Sequence, residues 1–239
     1  MTGGTSGIGL GLALRFRDLG NRVIVSGRRT ELLERIAAEH EGIDTVPLDV
    51  TDPDSIRRAY ESVTRTHPEV NVLINIAGMM LPENLLDPAH LAVAESTVAT
   101  NLLGPIRTIA SFAPYLATKE QATIINVSSG LAFVPLPLTP TYDATKAGIH
   151  FYTEALRAQL ADSSIQVIEL VPPPVRTTMM NQENNEQSMP LEDFLSETMD
   201  LLQAEPDARE ILVENVKWFR FAERNGTYDE TFALVSRAH

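Results

Sequence analysis

The sequence predicts a doubly wound α/β fold, a mostly parallel sheet with helices on both faces, and three observations carry that expectation. Short β-branched runs alternate with longer stretches of helical period. The runs are apolar nearly throughout, as strands covered on both faces must be. A glycine-rich turn at the front leads straight into the first helix. The strands are expected at 22–26, 44–48, 71–76, 122–127 and 166–171, with a weaker one at 210–213. Gly20 and Asn21 stop a helix over 10–19, and Thr51-Asp52-Pro53-Asp54 supplies the cap and first-turn acids of a helix over 55–66. Pro68 closes that second helix. No repeat, low-complexity tract or linker divides the chain, so residues 1–239 are expected to form one domain. The polar stretch 181–188 (NQENNEQS) is expected to be either a mobile loop over a pocket or plain disorder.

Composition excludes several functions. With 19 basic against 32 acidic side chains the net charge is −13, which repels phosphodiester backbones and anionic membrane surfaces. Nucleic acid and membrane are therefore not expected as partners. The absence of cysteine rules out a disulfide scaffold, thiol catalysis and cysteine-ligated zinc. His67, His90 and His150 have no sequence neighbour at metal-ligand spacing, so no metal is expected. Nothing resembles a cleavable signal, and no apolar run approaches the ~18–20 residues of a membrane span. The expected location is the cytoplasm.

Two constellations carry chemistry. The first is Thr2-Gly3-Gly4-Thr5-Ser6-Gly7-Ile8-Gly9, followed at once by helical period. Glycines at 3, 7 and 9 allow a tight turn and close approach of a pyrophosphate to free N–H groups at a helix start. A flexible N-terminus is the competing explanation if these residues stand alone. Gly27-Arg28-Arg29 then follows the strand at 22–26, where dinucleotide folds read the adenosine ribose. Glycine there removes the repulsion an acid would exert on a 2′-phosphate, and Arg28, with Arg29, offers cations for it. NADP is therefore expected ahead of NAD, although the two arginines could also be no more than a solvated helix start. Asp49-Val50 could hold the adenine, or Asp49 could serve the helix that follows.

The second constellation is Tyr142 and Lys146, spaced i, i+4 so that both project from one helical face, with Ser129 thirteen residues earlier and Asn101 further upstream. Together with Asn75-Ile76-Ala77-Gly78 and Pro172-Pro173-Pro174-Val175-Arg176-Thr177, these residues resemble the short-chain dehydrogenase/reductase family in order and spacing across nearly the whole chain. Within the family, 172–177, Met189-Pro190-Leu191 and 210–228 look most like the DltE-like oxidoreductases.

That resemblance implies a Rossmann-like fold and an NADP(H)-dependent interconversion of a carbonyl and an alcohol on a small, largely apolar substrate. It implies Tyr142 as proton donor and acceptor, with Lys146 lowering the phenol pKa and holding the nicotinamide ribose. Ser129 would orient the substrate oxygen, and Asn101 would hold a water linking Lys146 to solvent. Ala77, Gly78 and Asn75 would pack beside the adenosine. Pro172, Val175 and Thr177 would meet the nicotinamide, unless Thr177 caps the segment after it. Met79, Met80, Met179 and Met180 would face substrate as soft, adaptable side chains, with ordinary core packing as the alternative. The helical segments 94–116 and 141–160 would pair across a homodimer or homotetramer.

One feature departs from the pattern. Relatives carry an apolar strand before the glycine-rich turn, whereas Met1 stands directly on it. The expectation is that residues belong in front of Met1, a naturally shortened paralogue being the alternative. For the sequence as it stands, unpaired backbone is expected in mid-sheet, with residues 3–9 frayed unless ligand is bound. This motivates a rival function, a cofactor-binding or scaffold protein without turnover. A dehydratase or epimerase using the same Tyr and Lys fits less well, because such relatives usually have a longer C-terminal region.

Overall fold

A computed structural model describes residues 1–237. In chain order the elements are α1 (Gly7–Asp18), β1 (Val23–Gly27), α2 (Thr30–Glu39), β2 (Ile43–Pro47), α3 (Pro53–Thr66), β3 (Val72–Asn75), α4 (His90–Val98), α5 (Gly104–Leu116), β4 (Ala122–Val127), α6 (Pro140–Gln159), β5 (Ile165–Leu170), α7 (Leu191–Ala204), β6 (Glu210–Ile211), α8 (Lys217–Arg220) and α9 (Tyr228–Arg237). All strand pairs are parallel, in two pieces ordered β1-β2 and β3-β4-β5-β6. Among the described residues no helix is long and apolar enough to cross a membrane.

Alternation along the strands builds the two faces. Ile74, Ile125, Ile168 and Leu170 pack with Leu12 of α1 and Phe194 and Leu195 of α7, whereas Leu73, Ile124 and Val167 pack with Val63, Ile109, Phe112 and Leu156 from α3, α5 and α6. The strands are apolar on both sides because helices cover both sides. The α3 start has the expected chemistry, with Asp52 accepting from the Asp54 N–H and Pro53 in the first turn.

The front of the chain differs from expectation. Thr2 bridges Ser26 on one side and Asn75 on the other, joining the two sheet pieces. The Thr2 N–H donates to Ile74 O (2.9 Å), the Ser26 N–H to Met1 O (2.9 Å), and the Met1 amine to Ile24 O (2.7 Å). Residues 3–9 are thus anchored rather than frayed, because Met1 and Thr2 bridge the carboxyl ends of β1 and β3, whereas along the rest of these strands the sheet stays in two pieces, as expected for the missing strand. The Thr2 hydroxyl also accepts from the Ile76 and Ala77 N–H groups, tying the turn to the end of β3.

The expected single helix over 94–116 is instead α4 and α5 joined by a π-helical turn, Ala99–Leu103, with Asn101 buried inside it. Such a turn inserts one residue into the helical ladder and rotates the helix beyond it, an arrangement concentrated at functional sites.

Candidate active site

The carboxyl ends of the parallel strands open into a cleft of about 1150 Å³. The glycine-rich turn, the segment after β3, Ser128 and Ser129 after β4, the α6 residues Tyr142 and Lys146, and the proline-rich segment after β5 all line it. This is where ligands bind in open α/β sheets.

The turn is shaped for close approach. Gly3 has φ +66°, and a Cβ there would lie 2.6 Å from the Ala77 backbone; one on Gly9 would collide with the Gly3 carbonyl oxygen. Ser6, at the α1 N-cap, makes no side-chain cap, and the first turn carries no acid, so the N–H groups of the helix start face the cleft without a competing anion. The buried Ser128 hydroxyl, which also lines the cleft, has no hydrogen-bond partner among the described residues. Free donors at a glycine-shaped helix start and an unmatched hydroxyl deeper in suit a ligand with a phosphate at one end and hydrogen-bonding groups at the other, as a dinucleotide has.

On the opposite wall α6 presents Tyr142 and Lys146 together, both nearly inaccessible. Lys146 Nζ donates to Val127 O at 2.8 Å and stands 5.6 Å from the centroid of the Tyr142 ring. Burial pushes the Tyr142 phenol up to about 12; hydrogen bonding to the Ser129 side chain works against this and the Asp143 charge adds to it. Burial brings Lys146 down to about 8, opposed by the Glu169 charge. Burial dominates the phenol in this geometry, and Lys146 is not among the groups that shift it. Desolvation outweighs a cation that is turned to a backbone carbonyl. Ser129 also accepts from the Leu131 N–H, which fixes its hydroxyl at the start of the turn after β4.

Several expected site residues take other positions. The Asn101 side chain accepts from the Met79 N–H (2.9 Å) and donates to Met79 O (2.8 Å), so its amide clamps the backbone of the 76–82 wall. Asp49 binds the Thr51 N–H and hydroxyl, favouring the service of the α3 start over the adenine. Val50 is core, packed with Leu48, Ile56 and Ala59, and does not reach the cleft. Thr5 packs against Gly27, and Arg28 and Arg29 are exposed at the end of β1, outside the cleft wall; the Arg28 charge acts on Asp49, whose carboxyl is held low chiefly by its bonds to Thr51 against its own burial. Asn75 donates to Asn126 and accepts from Thr108, and Asn126 donates to Thr153, making Asn75 part of a buried polar seam between the sheet and α5 and α6.

The cleft wall does hold Gly3, Ser6, Gly7, Ile8, Gly9, Ala77, Gly78, Pro172, Val175 and Thr177, and all four methionines, Met79, Met80, Met179 and Met180. Thr177 packs against Gly7 and is not a helix cap; Thr178 precedes the 3₁₀ segment Met179–Asn184. That segment enters the stretch expected from sequence to be mobile or disordered, and it is folded. Arg176 donates to the carbonyls of Asn185, Ser188 and Glu186, and the Ser188 hydroxyl to Gln182. Met180 and Asn181 adopt left-handed φ of 56° and 54° at the cleft edge.

Sequence reading does not find the rest of the wall. Trp218, Phe219, Leu234 and Val235 from the C-terminal region line the cleft along with Leu131 and Leu136. Their apolar period on short helices is the only available signal, and period alone does not tell core from cleft. Nor does it find that His150 meets Glu169 and Glu210, whose ligand-type atoms all lie within 4.8 Å. The cation meeting Glu210 there is Arg220, which donates to both of its oxygens at 2.7 and 3.1 Å.

A family model described as short chain dehydrogenase matches residues 1–188. The chain belongs to the short-chain dehydrogenase family. It is 35% identical over 242 residues to the uncharacterized oxidoreductase DltE of Bacillus subtilis, covering 99% of this chain and 95% of that one. It is 31% identical over 177 residues to an NADPH-dependent 1-acyldihydroxyacetone phosphate reductase of Schizosaccharomyces pombe, covering 74% of this chain and 58% of the relative. Among solved structures, a short chain dehydrogenase from Burkholderia cenocepacia in complex with NADP superposes with a TM-score of 0.81 at 25% identity, over 96% of this chain and 94% of that one. The protein is thus an oxidoreductase of this family with its Rossmann-like fold.

Proposed function

We propose that the described residues act as one dinucleotide-binding domain, which takes NADP(H) and interconverts a carbonyl and an alcohol on a small, largely apolar substrate. The observation that carries this reading is the convergence of Tyr142, Ser129 and Lys146 on one wall of the cleft, opposite an uncapped helix start shaped by glycine. The nicotinamide supplies hydride when bound. Tyr142, which holds its proton in this environment, donates it to the substrate oxygen as charge develops there, and Ser129, on the same cleft, orients that oxygen. Lys146, whose ammonium lines the cleft beside Tyr142, would hold the nicotinamide ribose hydroxyls of the bound cofactor. The S. pombe relative named as NADPH-dependent and the NADP complex from B. cenocepacia support the cofactor, as does the pair Arg28 and Arg29 beside Gly27. The exposed apolar side chains Leu91, Leu103 and Phe151, on α4, the π-helical turn and α6, support pairing of those segments across a homodimer or homotetramer.

The test is Tyr142→Phe, assayed for NADPH oxidation with a panel of ketones, aldehydes and diketones and for cofactor binding by nucleotide fluorescence. Turnover is expected to fall by at least about a hundredfold, the scale of a lost general acid, with cofactor affinity kept. Retained turnover in this variant removes Tyr142 from the proton step. Binding without turnover by the unaltered protein on every carbonyl tried favours the scaffold reading.

A further inference from the structure

Behind the cleft, α6 carries a third buried ionisable group in line with the first two. Tyr142, Lys146 and His150 stand at i, i+4 and i+8 and are exposed by only 8%, 5% and 7%. His150 Nδ1 lies 2.8 Å from Glu169 Oε2 on β5, and Glu169 is fully buried. The sheet register places Glu169 beside Asn126 and the next residue, Leu170, beside Val127, whose carbonyl receives Lys146. The second oxygen of Glu169 has no hydrogen-bond partner among the described residues. A buried carboxylate with one oxygen unmatched is costly, and a half-satisfied ionic group is a poor structural device compared with an apolar pair. Lys146, one turn before His150 on the same helix, also lacks a carboxylate partner among the described residues and hydrogen-bonds a backbone carbonyl.

We propose that Glu169, held by His150, is a positioning residue for the reaction, supplying from β5, on the α6 side of the sheet, the negative charge that keeps Lys146 an ammonium beside Tyr142. This rests on the carbonyl–alcohol reading of the cleft. The Coulomb effect of Glu169 on Lys146 runs in the required direction, opposing the burial that would neutralise the lysine. The hydrogen bond to Glu169 in turn raises the His150 pKa. The other groups facing the pair are Glu154 on α6, Glu210 on β6 and Arg220 on α8. Arg220 pairs with Glu210 and lies 4.6 Å over Phe133, whose ring meets His150 edge-on at 4.7 Å. Arg220 thereby pairs with Glu210, leaving Glu169 as the carboxylate that meets His150.

Glu169→Gln is the discriminating variant, because its amide still donates to a neutral His150 and its volume is unchanged. Two readouts are needed. One is the pH profile of kcat for NADPH oxidation. The other is competitive acetylation of Lys146 by acetic anhydride across pH, read by mass spectrometry, which reports the free amine without turnover. In Glu169→Gln both the alkaline limb and the acetylation midpoint are expected to move acidward by about one pH unit, about tenfold in the ammonium fraction above the midpoint. Activity is then recovered at low pH, and Glu169→Asp keeps the midpoint of the unaltered protein. Should Glu169→Gln not fold, Glu169→Leu together with His150→Leu replaces the pair by apolar side chains, a swap buried ion pairs commonly tolerate, and is expected to show the same shift. Unchanged acetylation midpoints in a folded charge-removing variant overturn the proposal, whatever the activity. A shifted midpoint in a protein that turns over no carbonyl upholds the coupling and rejects the catalytic reading instead.

Discussion

Tyr142 and Lys146 are ruled by desolvation. Each is driven toward its neutral form by the same packing that brings it to the cleft, the phenol upward and the ammonium downward. Asp143, next to Tyr142, obeys the same rule. Burial raises its carboxyl to about 7, against bonds from the Leu136 N–H and the Thr139 hydroxyl. Its folded-state pKa lies above the unfolded value of 3.8, so the folded chain binds the extra proton and the resulting stability is lost as pH rises toward 7. Thermal unfolding midpoints are expected to decline between pH 5 and 8 more steeply in the unaltered protein than in Asp143→Asn; parallel curves would show that Asp143 does not carry the effect. Arg28, exposed beside Gly27, is expected to act on affinity alone. Arg28→Ala should weaken NADPH by about tenfold or more and NADH little, the cost of one charge-assisted contact; equal losses by isothermal titration would remove it from the 2′-phosphate.

At the level of elements, the glycine turn and the Tyr142–Lys146 spacing are legible because each lies within one turn of helix or one tight loop. Gly9→Ala is expected to cost about 1–3 kcal/mol in denaturant unfolding, since its Cβ must displace the Gly3 carbonyl, and to weaken dinucleotide binding with it. A stable Gly9→Ala protein of full affinity would mean the turn can yield. The π-helical turn is not legible. Residues 99–103 (ATNLL) carry ordinary helical chemistry, and the extra residue shows only once the Asn101 amide meets the Met79 backbone from another segment. Asn75 reads as a packing residue from its neighbours Ala77 and Gly78. Its true partners, Thr108 and Asn126, come from different elements and give no local sign.

Across the whole molecule, the buried polar seam Thr108–Asn75–Asn126–Thr153 ties β3 and β4 to α5 and α6 under the active wall. Asn126→Ala strands the Asn75 amide nitrogen, while the Thr153 hydroxyl loses a donor but keeps its own bond to Ile149 O. The variant is expected to destabilise the fold by about 1–3 kcal/mol for that stranded group, with a fall in the unfolding midpoint that no ligand is needed to reveal. A midpoint within a degree of the original would mean that water replaces the lost partners. Phe151, 69% exposed on α6, is expected to lie in an interface between subunits. Phe151→Arg should reduce the mass by light scattering to that of a smaller assembly, and an unchanged mass would place the interface elsewhere.

The amino-acid order determined by itself the strand and helix sequence, the phosphate-shaped turn and the tyrosine–lysine pair, because backbone geometry and period act over a few residues. Tertiary packing decided how Thr2 fills the gap between two strand groups, which face Asn101 clamps, how 179–188 folds over the cleft, and that Glu169 lies against His150. Those contacts join residues many positions apart, and only the register of a parallel sheet under its helices brings them within a hydrogen bond.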